Sequence, residues 1–266
     1  MKIGIVGCGG TMGRLLVKEV AAAEDCRLSG GSGRPGSPLI GRDVTEQAGL
    51  EPSGLIVTDD AGALFRDCDA VIDLSVAGAA SHHAELAAAH GVALVHGTSG
   101  LDAAQQEAVE AAARHTAVVQ SSSMSIGVNL MVELTEQTAA VLGEDYDIEI
   151  VELFHRNKVD APSGTSLALG RAAAAGRGAD LDALAVFQRD GEIGPRPAGA
   201  IGFAVLRGGD SPGEHTVIFA GAGERVEIAH KASSRSIYTQ GAVAAARWAV
   251  GQPAGLYSMR DVLGLA

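Results

Sequence analysis

The chain carries a glycine-rich segment close to its start, Gly7-Cys8-Gly9-Gly10-Thr11-Met12-Gly13. It follows the apolar run Lys2–Val6 and leads into a helical pattern. Glycines allow the backbone to turn sharply and approach a pyrophosphate, and the free amides at a helix N-terminus bind its negative charge. The glycine spacing is GxxGxxG and does not match the GxGxxG pattern of dinucleotide-binding proteins. The evidence for a phosphate-binding turn is therefore that the segment lies between a predicted strand and a predicted helix. We predict nucleotide binding here; the alternative is a tight turn that binds nothing.

The residues after the second predicted strand indicate which dinucleotide would bind. An acidic residue in this region usually accepts hydrogen bonds from the ribose hydroxyls, but the stretch Leu28–Gly33 contains none. Arg34 follows it and could pair with a 2′-phosphate. This pattern favours NADPH, with NADH as the second choice, unless Arg34 is only a solvated loop residue.

A second segment concentrates cations in an acidic protein. His155, Arg156 and Lys158 stand close together, and Ser163-Gly164-Thr165 follows at a predicted helix start. Cations and helix N-terminal amides both bind carboxylates. The segment therefore suggests a small dicarboxylate ligand, although spacing alone leaves an exposed basic loop equally open.

The elements that must position these segments alternate regularly up to about residue 121. Short β-branched runs are separated by alanine-rich helical stretches, which indicates βαβ units and a doubly wound parallel sheet. The predicted strands are Lys2–Val6, Arg27–Gly31, Leu55–Thr58, Ala70–Leu74, Ala93–His96 and Ala117–Gln120, and the helices are Arg14–Ala23, Ala79–His90 and Ala103–His115. Ligands of such sheets bind beyond the carboxyl ends of the strands.

At about residue 127 the pattern changes, and a second, α+β domain is predicted. Its elements are the helix Val128–Leu142, the strand Asp147–Phe154, a helix at about 165–175, and the extended runs Ile201–Arg207, His215–Ala220 and Arg225–Lys231. Turn residues between these runs favour an antiparallel meander, so the sheet should be mostly antiparallel. A last helix, about Thr239–Val250, could return to the first domain. We assign residues 1–126 and 238–266 to a dinucleotide-binding domain and residues 127–237 to a substrate-binding domain.

Composition excludes several classes of protein. Of the 266 residues, 47% are hydrophobic and 20% are charged, as in globular chains. The formal net charge of −12 disfavours nucleic acid or an anionic membrane as a partner, and no apolar run is long enough to span a bilayer. Three cysteines without a CxxC pair favour a reducing cytoplasm. No group of His, Cys and acidic residues has the spacing of a metal site.

The histidines outside the cationic segment have plainer interpretations. His82 and His83 open a predicted helix and are expected at the surface, whereas His96 should be a satisfied structural residue. His215 and His230 lie on predicted strands, where packing is favoured over a role in a pocket.

The segment Lys158-Val159-Asp160-Ala161-Pro162-Ser163-Gly164-Thr165 resembles the hallmark motif of bacterial 4-hydroxy-tetrahydrodipicolinate reductases, also called dihydrodipicolinate reductases, of lysine biosynthesis. Similar segments occur in order along the whole chain. They are the glycine-rich segment, Gly97-Thr98-Ser99-Gly100, Ser125-Ile126-Gly127-Val128-Asn129, Ile201-Gly202-Phe203, Gly213-Glu214-His215-Thr216 and His230-Lys231-Ala232-Ser233-Ser234-Arg235.

This resemblance implies an α/β fold in which an N-terminal Rossmann-type domain holds NAD(P)H. A C-terminal α+β domain would hold a cyclic imine dicarboxylate, with movement about hinges and assembly as a homotetramer. The cofactor would lie against Gly7, Cys8, Gly9, Gly10, Thr11, Met12, Arg34, Gly97, Thr98, Ser99, Ser121, Ser122, Ser123 and Met124. The substrate would meet His155, Lys158, Gly164 and Thr165. Lys158 is implied as the proton donor, with His155 as a second candidate catalytic residue.

Four positions depart from the usual pattern of the family. Phe154 stands where the family has the first of two adjacent histidines, the catalytic acid, and only His155 remains. Phenylalanine cannot transfer a proton, so we expect slow reduction of the usual substrate, or a proton from Lys158 or water. The other departures are Gly33 for the ribose-binding acid, Ser123 for an asparagine and Ser99 for a threonine.

These departures leave three hypotheses for the function. The first is NAD(P)H-dependent reduction of 4-hydroxy-tetrahydrodipicolinate. The second is a diverged paralogue that reduces another cyclic imine or unsaturated acid, with Phe154 as an apolar contact. The third is a catalytically silent nucleotide-binding regulator.

Overall fold

The computed structural model describes residues 1–265, and the chain divides into two compact units. The first unit combines Met1–Ile126 with Arg235–Ala266, and the second is Gly127–Ser234. The chain thus leaves the first unit after Ile126 and returns to it at Arg235, slightly before the predicted boundary at residue 238.

Strands and helices alternate through most of the chain. In chain order the strands are β1 (Lys2–Val6), β2 (Arg27–Ser32), β3 (Ala70–Asp73), β4 (Ala93–His96), β5 (Ala117–Gln120), β6 (Asp147–Phe154), β7 (Ala185–Val186), β8 (Ile201–Arg207), β9 (Glu214–Ala220), β10 (Arg225–Lys231) and β11 (Gly255–Tyr257). The helices are α1 (Thr11–Ala22), α2 (Ala61–Arg66), α3 (Ala80–His90), α4 (Ala103–Ala112), α5 (Ile126–Leu142), α6 (Gly164–Gly176), α7 (Leu181–Leu184), α8 (Ser236–Ala249) and α9 (Met259–Leu263).

In the first unit, six parallel strands form a sheet in the order β11-β5-β4-β3-β1-β2. β3 and β4 are buried along their whole length, as expected for strands covered on both faces. One apolar cluster joins the sheet to α1 and α8, and a second joins it to α3 and α4. The predicted doubly wound parallel sheet is confirmed.

One strand prediction for this unit is wrong, and one strand was not predicted. Leu55–Thr58 is not a strand, because Ile56 and Thr58 make only isolated bridges, to Asp43 and Ser32. The edge strand β11 was missed, since its three residues are too few for a recognisable alternation.

The second unit is built on a mixed sheet in the order β10-β9-β6-β8-β7. β6 lies between β8 and β9 and pairs antiparallel with β9 and parallel with β8, so the predicted pairing of β8 with β9 is wrong. The antiparallel pair of β9 and β10 is confirmed. The connection from β6 to β8 contains α6, which packs against both strands. Such a helical crossover joins parallel neighbours, so β8 lies parallel to β6. The sheet is therefore mixed rather than mostly antiparallel.

Helices α5 and α6 cover one face of this mixed sheet. Met131 of α5 and Leu169 of α6 form an apolar cluster with Ile148 and Ile150 of β6. Within residues 1–265, no helix is both long and apolar enough to span a lipid bilayer.

Candidate functional site

The glycine-rich segment forms the turn between β1 and α1. Gly7 has a φ of 66°, in the left-handed region that favours glycine, and its carbonyl accepts a hydrogen bond of 3.0 Å from the amide of Gly10. A Cβ atom on Gly13 would overlap the carbonyl oxygen of Gly7 and the backbone of Cys8. Gly10 is the N-cap of α1 and provides no side-chain cap, so the amides of the first turn remain available to an anion.

A cavity of about 730 Å³ opens in front of this turn. It is bounded by the glycine-rich turn, the end of β2 with the loop that follows, and the residues after β3. Of the predicted cofactor-binding residues, it is lined by Gly7, Gly9, Gly10, Thr11, Met12 and Arg34. Arg34 is exposed. The lining suits the pyrophosphate and adenosine end of a dinucleotide, because it combines a glycine-rich backbone and a helix N-terminus with a cationic side chain.

Cys8 differs from its neighbours in this turn. Its side chain is buried in the core and packs beside Gly31, where an added Cβ would lie 2.6 Å from the Cys8 sulfur. Burial raises the pKa of the Cys8 thiol to about 11. Only the backbone of Cys8 is therefore placed to serve a ligand.

The other predicted cofactor segments follow the next strands of the sheet. Gly97-Thr98-Ser99 follows β4, and Ser121-Ser122-Ser123-Met124 follows β5. The amide of Ser121 donates to the carbonyl of His96 at 3.1 Å, and the Ser121 hydroxyl donates to the carbonyl of Ser123 at 2.7 Å. Since parallel strands end at one edge of a sheet, these loops share the edge that carries the glycine-rich turn.

A buried charged cluster lies just below these loops, and sequence reasoning missed it. Asp73 at the end of β3 is fully buried, and its Oδ2 lies 2.8 Å from His83 Nδ1 and 3.4 Å from His96 Nδ1. The hydroxyl of Ser75 donates to Asp73 Oδ1 at 2.5 Å. Burial alone would raise the pKa of Asp73, but the hydrogen bonds with His83 and Ser75, together with the nearby His96 ring, hold it below its usual range. Among the described residues, neither ring nitrogen of His96 has a hydrogen-bond partner, so the expectation that His96 is satisfied is wrong.

The prediction that His83 lies at the surface is wrong, whereas His82 is exposed as expected. One sequence signal could have found the cluster. Asp73 and His96 are the last residues of adjacent buried strands and are in register.

In the second unit, the segment around Phe154 brings the cations together. Phe154 ends β6 and is buried, and its ring packs edge-on against His215 with 5.3 Å between centroids. Lys158 Nζ lies 4.7 Å from the ring centroid, and the guanidinium carbon of Arg207 lies 5.6 Å from it. Both distances are typical of cation–π contacts. Arg207 was not among the predicted site residues.

His155 and Lys158 lie in the turn that follows β6. The amide of His155 donates to Ser211 at 2.9 Å, and the amide of Lys158 donates to the carbonyl of His155 at 3.1 Å. Lys158 Nζ donates to both oxygens of Asp160, at 2.7 and 2.8 Å, which lowers the pKa of that carboxyl. The turn thus places both predicted catalytic residues beside one another.

Glu152 connects this turn to the start of α6. Its Oε2 accepts hydrogen bonds from the amide of Ser163 at 2.8 Å and from the hydroxyl of Ser166 at 2.5 Å, and its Oε1 pairs with Arg207 Nη2 at 2.8 Å. Burial alone would raise the pKa of Glu152, but these hydrogen bonds lower it. The carboxylate therefore stays charged and fixes the helix start against β6.

The first turn of α6 has backbone amides that suit an anion. Ser163 is the N-cap and its hydroxyl accepts a hydrogen bond from the amide of Ser166 at 3.1 Å. The amides of Gly164 and Thr165 precede that bond in the first turn, where helix amides lack an intrahelical acceptor. Behind the cap, His215 Nε2 lies 3.2 Å from the Ser163 hydroxyl, and burial lowers the pKa of His215 to about 4. His215 is thus neutral at pH 7 and acts as a packing residue.

The fold is that of a protein with a Rossmann-type parallel sheet and an appended α+β unit built on a mixed sheet. Residues 1–124 match the family model "Dihydrodipicolinate reductase, N-terminus" and residues 127–263 match "Dihydrodipicolinate reductase, C-terminus". The chain belongs to the dihydrodipicolinate reductase family, as the resemblance predicted.

Full-length relatives agree with that family. The 4-hydroxy-tetrahydrodipicolinate reductase of Rhodopseudomonas palustris (strain HaA2) is 47% identical over 266 residues, covering 100% of this chain and 98% of that protein. The reductase of Rhizobium rhizogenes (strain K84) is 49% identical over 267 residues, covering 100% and 97%. The dipicolinate-bound dihydrodipicolinate reductase from Paenisporosarcina sp. TG-14 shares the fold, with a TM-score of 0.77 at 20% identity and 98% of each chain covered.

Proposed function

We propose that the protein reduces 4-hydroxy-tetrahydrodipicolinate to tetrahydrodipicolinate with NAD(P)H, in the diaminopimelate route to lysine. The observation that carries the proposal is the second unit's anion site, where Lys158 and the first-turn amides of α6 lie in a chain that matches the family over its length. The free thiols of Cys8, Cys26 and Cys68 support a reducing compartment, the cytoplasm.

The first unit binds the cofactor, which supplies a hydride when bound. The glycine-rich turn receives the pyrophosphate on its backbone and on the first-turn amides of α1. Arg34 lines the same cavity and pairs with a 2′-phosphate, which favours NADPH over NADH. Residues Gly97-Thr98-Ser99 and Ser121-Ser122-Ser123-Met124 complete the cofactor side at the same sheet edge.

The second unit binds the two carboxylates of the substrate. Gly164 and Thr165 donate their amides to one carboxylate, and His155 binds the other. Lys158 stabilises the electron-rich product of reduction and supplies the proton, because Phe154 has no proton to give. Asp160 holds the Lys158 ammonium in place until substrate arrives.

Phe154 favours a second candidate, the reduction of another cyclic imine or unsaturated acid. Its ring is buried among Lys158, Arg207 and His215, so an apolar group rather than an acid stands beside the cations of the site. The usual substrate would lose an acid there, whereas a substrate that needs no proton from position 154 would not.

We also propose a homotetramer assembled through the uncovered face of the mixed sheet. On this face Val151 pairs with Ala204 and Leu153 pairs with Leu206, whose side chain is 51% exposed. Adjacent exposed apolar residues on a sheet mark an interaction surface. Light scattering on the purified protein should give four times the monomer mass, and Leu206→Glu should give a smaller species.

Steady-state oxidation of NADPH and NADH with freshly generated 4-hydroxy-tetrahydrodipicolinate tests the function. Turnover is expected, with NADPH preferred, and Phe154→His should raise it. Phe187→His is the matched control, because Phe187 is an exposed phenylalanine of the same unit. Intact cofactor binding without turnover, or a Phe154→His variant that is less active on a different imine acid, would favour the second candidate instead.

A further inference from the structure

We infer that Asp59 determines cofactor specificity: its carboxylate takes the place of the acid that position 33 lacks and binds the ribose hydroxyls of NADH. Arg34 serves the 2′-phosphate of NADPH from the same cavity. The inference rests on the proposed use of a nicotinamide dinucleotide and concerns only how the protein recognises the adenosine end of that cofactor.

The backbone brings Asp59 beside the end of β2. Ser32 and Thr58 form a parallel bridge. The amide of Gly33 donates to the carbonyl of Thr58 at 2.9 Å, and the amide of Thr58 donates to the carbonyl of Gly31 at 3.1 Å. The segment that ends at Thr58 thus runs along β2 like a short extra strand, and Asp59 follows it where Gly33 follows β2.

The side chain of Asp59 is available to a ligand in this position. Asp59 is exposed and lines the cavity with Gly33 and Arg34. Within residues 1–265, its carboxylate has no ion pair and no hydrogen bond. The neighbouring Asp60 is different, because its Oδ1 accepts the amide of Ala63 at 2.9 Å as the N-cap of α2 and it does not line the cavity.

The two charges in this cavity favour different cofactors. A carboxylate accepts hydrogen bonds from the ribose diol of NADH and repels a 2′-phosphate, whereas a guanidinium attracts the phosphate. Arg34 and Asp59 do not pair with each other in the described chain, so both are available. The balance between the two cofactors is therefore set by Asp59 and Arg34.

Calorimetric titration with two fragments that lack the nicotinamide, ADP-ribose and 2′-phospho-ADP-ribose, tests this assignment without turnover. Asp59→Asn should weaken ADP-ribose binding by about 10-fold, the loss expected for one charge-assisted hydrogen bond. Binding of 2′-phospho-ADP-ribose should be unchanged or tighter. Arg34→Gln should weaken only 2′-phospho-ADP-ribose. Asp60→Asn is the matched control, because asparagine keeps the cap and removes the same charge one residue away.

Rescue adds a second measurement. A Cβ on Gly33 would meet its nearest atoms at 3.6 Å, so an acid fits there without strain. Gly33→Asp in the Asp59→Asn background should restore ADP-ribose binding. An Asp59→Asn variant that binds both fragments as the wild type does, or that weakens both equally, overturns the inference. A wild type that binds neither fragment overturns the proposed cofactor itself.

Discussion

Replacing Glu152 by glutamine removes one charge from the interior of the second unit while keeping the shape of the side chain. The Glu152 side chain is 1% exposed, and its oxygens serve Ser163, Ser166 and Arg207. A hydrogen bond to a charged group contributes roughly 1.5–3 kcal/mol and a neutral one roughly 0.5–1.5 kcal/mol, so about 1 kcal/mol is lost at each of the two serines. Loss of the ion pair with Arg207, whose side chain is 21% exposed, adds about 1 kcal/mol. We expect the free energy of unfolding to fall by about 3 kcal/mol, which lowers Tm by about 6–12 °C for a chain of this size.

The pH dependence of this loss follows from the lowered pKa of Glu152. A carboxylate whose pKa is lower in the folded state contributes stability that is complete above its unfolded pKa, about 4.3 for glutamate. That stability disappears as the pH falls through the folded pKa. The difference in Tm between wild type and Glu152→Gln should therefore stay constant from about pH 6 to 8 and shrink below about pH 4.

Calorimetric unfolding of both proteins across this pH range is the measurement. Asp67→Asn is the matched control, because Asp67 pairs with Lys2 at 2.8 Å in the first unit and its side chain is 68% exposed. It should lower Tm much less, because an ion pair in solvent contributes little to stability. Equal losses for the two variants, or a Tm difference that persists undiminished at pH 3, would refute the role given to burial. Because Glu152 fixes the start of α6, its variant should also show a raised KM for substrate.

Three further predictions concern other parts of the two sites. Gly13→Ala should weaken NADPH binding at least about tenfold in a fluorescence titration, because its Cβ overlaps the turn, whereas Gly78→Ala, with open space around it, should not. Lys158→Gln should lower kcat by about 10²–10⁴-fold without changing the Kd of NADPH, and the exposed Lys231→Gln serves as its control. Asp73→Asn should lower Tm by about 6–12 °C at pH 7, since about 3 kcal/mol is lost when one member of a buried charged group is removed; the lowered pKa of Asp73 means that this difference shrinks as the melt is moved into acid.

Local patterns were sufficient to predict most of the first unit. The strands β3 and β4 are short apolar runs between glycine or polar residues. Both faces of these strands are buried, which favours apolar side chains at successive positions. The glycine-rich turn could also be predicted from the sequence, because it requires glycine at two positions. Gly7 has a positive φ, and a Cβ on Gly13 would overlap the backbone of the turn.

Long-range pairing could not be read in the same way. β6 and β8 are parallel neighbours, yet nothing in either strand specifies the partner, and the turn residues between successive strands suggested a meander. The Asp73 cluster was missed for a similar reason, because His83 looked like an exposed residue at a helix start until α3 placed its ring against the end of β3. The place of Asp59 beside the end of β2 likewise depends on the bridge between the preceding Thr58 and Ser32, which the sequence does not reveal.

The two cations beside Phe154 differ in the acids behind them, and that difference separates their roles. Arg207 pairs with Glu152, which is buried and accepts hydrogen bonds from two serines. If Arg207 moved away, the Glu152 carboxylate would remain in the interior without a compensating charge. Lys158 pairs with Asp160, whose side chain is 60% exposed, so water can solvate this carboxylate when the pair separates. A dicarboxylate substrate can therefore displace Asp160 from Lys158 at little cost but cannot displace Glu152 from Arg207. Lys158 is therefore the cation that can leave its acidic partner and interact with the substrate during the reaction. Arg207 keeps the turn that contains Lys158 in place.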